Sequence, residues 1–201
     1  MSGARVSIIE GASRRAIEAT LVEGITRKHL HDVEMKWKPW RSQRLKELGD
    51  AITEESSHWD WEAKVDVIEG LVSYAAFVLE CGGDAQGIMI LNTGFKFCRI
   101  QSQDKMPLVY VEFLETAPWN RKQLVTPRRY CRVGPALIDV AIQVSEQVGY
   151  QGRLGLHSLP QSDGWYRDIC GMTDLGIDRD KGLRYFEMTI EQAAAYLKEG
   201  R

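Results

Sequence analysis

Apolar residues recur among charged neighbours at Ile17, Leu21, Ile25 and Leu30, a spacing that predicts a helix over Ser13 to His31. Leu45 and Leu48 repeat it over Ser42 to Ile52. Between the two, Met35-Lys36-Trp37-Lys38-Pro39-Trp40 breaks the period, with Pro39 as the punctuation. His58 to Lys64, which carries Trp59 and Trp61, reads as a short helix or turn. Residues 1–66 are therefore expected to be the mainly helical part of one domain, and residues 67–201 its sheet core.

From Leu71 the period changes. Leu71 to Glu80 and Gly87 to Asn92 read as two strands joined by a hairpin at Cys81-Gly82-Gly83-Asp84. Leu108 to Thr116 reads as a third strand, ended by Ala117-Pro118. A helix is expected over Pro135 to Gly149, with proline at its first position, glycine at its end and one apolar stripe of Leu137, Val140, Ala141, Val144 and Val148. Arg153 to Leu159 reads as a buried strand, so strand, helix and strand make a crossover and imply a parallel pair. A short helix over Asp163 to Cys170, a strand over Leu183 to Thr189 and a helix over Ile190 to Lys198 complete the chain.

Composition narrows the class. The 201 residues are 44% hydrophobic and 27% charged, as in an ordinary globular protein, which excludes disordered, collagen-like and coiled-coil chains. Cys81, Cys98, Cys131 and Cys170 are scattered with no zinc-ligand spacing, so reduced thiols, a cytoplasmic location and no metal are expected. No run is long and apolar enough to predict a membrane span. The net charge of −2 argues against a surface devoted to nucleic acid or anionic membrane.

That near balance hides one uneven segment. Arg121, Lys122, Arg128, Arg129 and Arg132 lie within twelve residues with no acidic side chain among them. Without them the chain has 21 basic against 28 acidic residues, or −7. A strand feeding a basic loop into a helix start suits phosphate, because unpaired N–H groups, the helix dipole and guanidinium forks all act on the same anion. Gly134 would let the backbone approach closely. A solvated basic loop is the competing reading. Nucleic-acid binding ranks last, for want of aromatic interleaving beyond Trp119 and Tyr130.

Arg129-Tyr130-Cys131-Arg132-Val133-Gly134-Pro135-Ala136 resembles the acyl-CoA pyrophosphate loop of the GNAT superfamily of N-acyltransferases, Gln/Arg-x-x-Gly-x-Gly/Ala at a helix start. Gly164 to Met172 resembles that family's Phe-Tyr-x-x-x-Gly-Phe helix, and the resemblance extends over roughly Leu71 to Leu197. It implies an α/β (α+β) fold with a mixed, mostly antiparallel central sheet flanked by helices. It implies transfer of acetyl from acetyl-CoA to a primary amine by direct attack in a ternary complex. The cofactor would lie on Leu114, Glu115 and Thr116, whose N–H groups would stabilise the oxyanion, and on Arg129 to Ala136.

By the same resemblance Tyr166 is the acid for the departing thiolate and Glu112, through a water, the base. Alternation puts Glu115 on the opposite strand face, where it can pair with a loop arginine. His157 is a third proton-transfer candidate or else a hydrogen-bonded core residue. Trp37, Trp40, Trp59 and Trp61 either line an acceptor pocket or pack helices onto the sheet. Arg132 departs from the family, which has a glycine there. A non-catalytic GNAT-like binding module with a degenerate loop is therefore the alternative. The acceptor, and any homodimer formed through a sheet edge, are not written in the sequence.

Overall fold

The computed structural model describes residues 3–49, 52 and 54–200. Nine strands form one sheet: β1 (Ala4–Glu10), β2 (Ala16–Glu23), β3 (Tyr74–Cys81), β4 (Asp84–Asn92), β5 (Val109–Thr116), β6 (Tyr130–Cys131), β7 (Leu154–Ser158), β8 (Thr173–Asp178) and β9 (Leu183–Met188). Their order is β6-β1-β2-β3-β4-β5-β7-β9-β8. Pairing is antiparallel at β1–β2, β1–β6, β2–β3, β7–β9 and β8–β9, and parallel at β5–β7. The flanking helices are α1 (Arg27–Asp32), α2 (Lys38–Leu48), α3 (Trp61–Ile68), α4 (Val133–Gln147) and α5 (Ile190–Glu199). No helix among the described residues is long and apolar enough to cross a membrane.

The chain divides into two compact units. The first holds the residues up to Leu71, Ala76–Met89 and Leu114–Leu137, and the second holds Val72–Ala75, Ile90–Phe113 and the residues from Ile138. In the first, Trp37 is fully buried and donates from Nε1 to the Ala85 carbonyl at 3.1 Å, while Asp32 accepts the Ala85 N–H and pairs with Lys36. These bonds tie the N-terminal helices to the start of β4. In the second, Leu108, Val109, Leu154, Phe186 and Ile142 are fully buried, and α5 is fixed by a capping box of Thr189 and Gln192.

The N-terminal part corrects the helix expected over Ser13 to His31. Residues 16–23 are β2, with Ile17, Ala19 and Leu21 turned inward in alternation. These three residues fit a period of 2 as well as Ile17 and Leu21 fit 3.6, and pairing with both β1 and β3 decides between them. The region 1–66 is thus a hairpin followed by helices rather than mainly helical. Nor does Pro39 break the chain: the backbone is helical at Asp32, Trp37 and Lys38, so α1, the π-turn Val33–Trp37 and α2 run on without a break, and the π-turn just before Pro39 is where the helix accommodates its missing N–H. The helix expected to reach Ile52 ends at Leu48, and Asp50 and Ala51 lie outside the described residues.

The sheet core follows expectation more closely. The β3–β4 turn has Gly82 and Gly83 at φ +64° and +84°, the conformation of a two-residue hairpin that favours glycine. Helix α4 starts at Val133, so Pro135 is its third residue rather than its first. All of the first four helical N–H groups lack an internal partner, so proline is tolerated at any of them. The short helix over Asp163 to Cys170 is largely a π-turn, Trp165–Ile169, stopped by Gly171 at φ +66°. Strand β8 was not foreseen; it forms the sheet edge beside β9.

Candidate functional site

In the first unit the basic loop is pinned to the N-terminal strand. Tyr130 and Cys131 pair with Glu10 and Ile9, and the Gly11 N–H donates to the Arg129 carbonyl at 2.9 Å. A Cβ on Gly11 would lie 1.6 Å from the Arg128 oxygen, so this contact needs glycine. The Arg129 N–H donates to the Trp119 carbonyl, and the Tyr130 N–H to Asn120 Oδ1. Asn120 and the Trp119 indole both donate to Gln86 Oε1, at 3.1 and 2.9 Å. The loop is held by strand, indole and amide together, and the Arg129 guanidinium stacks 4.6 Å from the Trp119 ring.

The five basic residues do not act as one group. Arg121 is buried and turned inward: it donates to Glu115 at 2.7 Å, to the Thr116 carbonyl at 3.0 Å and to Glu54. Glu115 Oε1 also accepts from Arg41 at 2.8 Å and Ser56 at 2.9 Å, and its Oε2 from the Trp61 indole at 2.5 Å. Burial works to raise the Glu115 carboxyl, but Arg121, Trp61 and Arg41 outweigh it and hold it below the usual carboxylate range. Four donors from Arg41, Ser56, Trp61 and Arg121 converge on this carboxylate, which ties residues 41–61 to β5 and the basic loop. Arg128, Arg129 and Arg132 remain at the start of α4.

Arg132 has φ +69°, the left-handed backbone that glycine adopts freely. The backbone shape of a glycine is therefore kept although the side chain is not. Among the described residues the buried Nε of Arg132 has no hydrogen-bond partner. Val133 and Leu137 pack over Gly87, where a Cβ would come within 2.8 Å of Val133, so the start of α4 rests directly on β4.

In the second unit the β5–β7 ladder has only three rungs, Val109↔Leu154, Tyr110↔Gly155 and Val111↔Leu156. Both strands continue, to Thr116 and Ser158, without pairing beyond the last rung. Glu112 and His157 are the first residues past it. Glu112 accepts from Asn92 at 3.0 Å, and Asn92 also donates to the Tyr74 hydroxyl at 3.1 Å. His157 lies between Tyr110, 2.5 Å from Nδ1, and Asp178, 3.1 Å from Nε2. Burial lowers the His157 imidazole below its usual value despite the pull of Asp178, so the ring is neutral near pH 7.

Tyr166 is buried on the π-turn between Trp165 and Phe186, with ring centroids at 4.9 and 6.0 Å. Burial, and after it the neighbouring Cys170, pushes its hydroxyl well above the usual phenol range. Leu114 and Thr116 are half-buried on β5, in the first unit with the loop. Trp37 and Trp61 are buried packing residues, and Trp40 packs edge-on to Trp119 at 6.1 Å. Among the described residues no group of His, Cys, Asp and Glu is arranged to hold a metal. Sequence reasoning missed Gly11, Gln86 and Asn120 beneath the loop, and Tyr110 and Asp178 around His157. Only Tyr110 carried a signal, being in alternation with Glu112 on one strand face.

No protein-family model matches the sequence, and no curated protein sequence matches it. Solved structures do match, and with the broken parallel pair and the loop at the start of α4 they define the fold: it is that of the GNAT-type acetyltransferases. One is the AtaT toxin bound to the C-terminus of the antitoxin AtaR, with TM-score 0.54, 14% identity and coverage of 89% of this chain and 96% of that one. Another is an acetyltransferase from Thermus thermophilus, with TM-score 0.50, 14% identity and coverage of 84% and 96%. A third, described as a bacterial toxin, has TM-score 0.50 at 14% identity over 75% of this chain and 84% of its own.

Proposed function

We propose that this chain is an acyl-CoA-dependent N-acyltransferase that moves acetyl from acetyl-CoA to a primary amine by direct attack. The observation that carries the reading is the parallel pair β5–β7, which stops at Val111↔Leu156 while both strands run on. Strand N–H and C=O groups freed there can pair with the amides of a pantetheine arm as a pseudo-strand. The loop at α4 supports the same reading, because Arg128, Arg129 and Arg132 stand at a helix start whose N–H groups suit pyrophosphate. Arg132 keeps the glycine-like backbone, so the motif is altered in side chain and not in path.

In this mechanism the N–H groups within Leu114 to Thr116 that face away from β4 stabilise the thioester oxygen as it gains charge. Glu112, held by Asn92, takes a proton from the attacking ammonium through a water. Tyr166 donates to the departing thiolate; burial holds its phenol above the usual range, so it stays protonated until sulfur leaves. The acetyl group thus passes from sulfur to nitrogen with no covalent enzyme intermediate.

Calorimetric titration with CoA and acetyl-CoA tests the reading. Both should bind the unsubstituted protein, and Tyr166→Phe should bind as tightly while thiol release from acetyl-CoA falls roughly 10²–10⁴-fold. No heat with either ligand at high micromolar concentration would overturn it. If Arg132→Gly then created binding where none existed, the chain would be a non-catalytic member of the fold.

A further inference from the structure

Two protons must leave the acceptor nitrogen. An ammonium loses one before it can attack, and the tetrahedral adduct loses a second as the amide forms. Glu112 is one carboxylate and holds one proton at a time. The same strand face offers a second place. Tyr110 lies two residues before Glu112, so alternation puts both side chains on one side of β5, and His157 stands level with Glu112 just past the last β5–β7 rung.

The bonding of His157 is directional. Asp178 can only accept, so Nε2 carries the hydrogen and donates to it at 3.1 Å. In the neutral ring Nδ1 is then the acceptor, and the Tyr110 hydroxyl donates to it. Asp178 is itself fixed by Arg99, which donates at 2.8 Å and lies 4.2 Å from the centre of the Tyr185 ring. Tyr185 stacks on His157 with centroids 4.7 Å apart. Carboxylate, imidazole and phenol thus form a chain with one polarity, ending at the phenol oxygen of Tyr110, two residues before Glu112 on the same face of β5. Burial, and after it the Glu112 charge, raise the Tyr110 hydroxyl above the usual phenol range, so it carries its proton when it donates.

We propose that Tyr110, His157 and Asp178 form a proton relay that accepts the second proton from the acceptor nitrogen. This rests on the acyltransferase reading above. As the C–S bond of the adduct breaks, the N–H proton passes to the Tyr110 oxygen, directly or through one water, and the Tyr110 proton passes to His157 Nδ1. The resulting imidazolium is stabilised by the Asp178 carboxylate. Tyr166 meanwhile protonates the thiolate, so one proton is taken from nitrogen and one delivered to sulfur. After release of amide and CoA, Glu112 and His157 each return a proton and Tyr166 regains one, so a single proton is released to solvent per turnover. Tyr110 is the group that meets the substrate; His157 and Asp178 are positioning residues acting through it.

The pH behaviour follows from the groups that face the ring: Asp178 from β8, Tyr110 from β5, Tyr185 and behind it Glu187 from β9, Arg99 from the loop before β5, and Lys181 from the β8–β9 turn. Asp178 alone among them draws His157 toward its charged form, while Arg99, Lys181 and burial oppose it. The relay is therefore open when His157 is neutral and closed below its lowered pKa.

The experiment has three readouts on the full chain. Long-range ¹H–¹⁵N spectra should show His157 as the Nε2–H tautomer, titrating below the usual histidine value, with the Nδ1 resonance shifted in Tyr110→Phe. Calorimetry with CoA should give the same affinity for Tyr110→Phe and His157→Gln as for the unsubstituted protein. Thiol release from acetyl-CoA with benzylamine as the acceptor probe should fall roughly 10²-fold in both variants, and the acid limb of the profile should vanish in His157→Gln. An Nδ1–H tautomer, or an acid limb unchanged in His157→Gln, would overturn the relay and leave the acyltransferase reading standing. Failure of the unsubstituted protein to bind CoA or to release thiol would overturn that reading itself, and with it the relay's purpose.

Discussion

Replacing Glu115 by alanine separates a structural carboxylate from a catalytic one. Glu115 is 4% exposed and accepts from Arg41, Arg121, Ser56 and Trp61. Its removal leaves two guanidinium groups, each less than a tenth exposed, with Glu54 as the remaining carboxylate in the cluster. Breaking a buried ion pair by deleting one partner costs about 3–5 kcal/mol. At about 2–4 °C per kcal/mol for a chain of this size, the melting temperature should fall by about 6–20 °C. Because the carboxyl is held below its unfolded value, the stabilisation is present above the carboxylate range and is lost as pH falls through the folded value. Urea unfolding at pH 7 and again in mild acid should show a large difference between variant and wild type that shrinks on acidification. A loss below about 1 kcal/mol at pH 7, the range of exposed pairs, would refute the assignment.

Arg132→Gly should raise stability by about 1–2 kcal/mol, since the left-handed backbone no longer carries a Cβ, while calorimetry should show weaker CoA binding as a guanidinium is lost from the phosphate site. Gly11→Ala should destabilise the chain by about 1–3 kcal/mol in urea and abolish the heat of CoA binding, because the new Cβ displaces the Arg128 carbonyl and with it the loop. Asp174 is held at about 2: burial opposes its ionisation, but the Gly176 N–H, Arg184 and Arg167 prevail. Its stabilisation is present above the usual aspartate range and lost as pH falls toward 2, so Asp174→Asn should flatten the stability profile between pH 4 and pH 2.

How far the sequence could be read depended on whether a segment's partners were close along the chain. The Gly82-Gly83 turn, the crossover through α4 and the capped C-terminal helix carry their own instructions, and they formed within one residue or two of where the pattern put them. β2 did not, because its apolar spacing fits two periods and only β1 and β3 on either side decide between them. The loop from Arg121 to Arg132 was visible as charge, yet composition could not tell Arg121, turned inward to Glu115 and Glu54, from the arginines left at the helix start.

What the sequence determined by itself was therefore local: strand and helix identity in the sheet core, the hairpin glycines, and a basic segment leading into a helix. Only the tertiary structure decided which charges are spent on one another and which stay available. It brought Glu54 and Arg41, far away in the chain, onto Glu115 and Arg121, and it set Asp178, on an unforeseen strand, against His157. The reason is that a charge pairs with whatever burial places within about 3 Å of it, and that distance is set by sheet order and register rather than by sequence spacing.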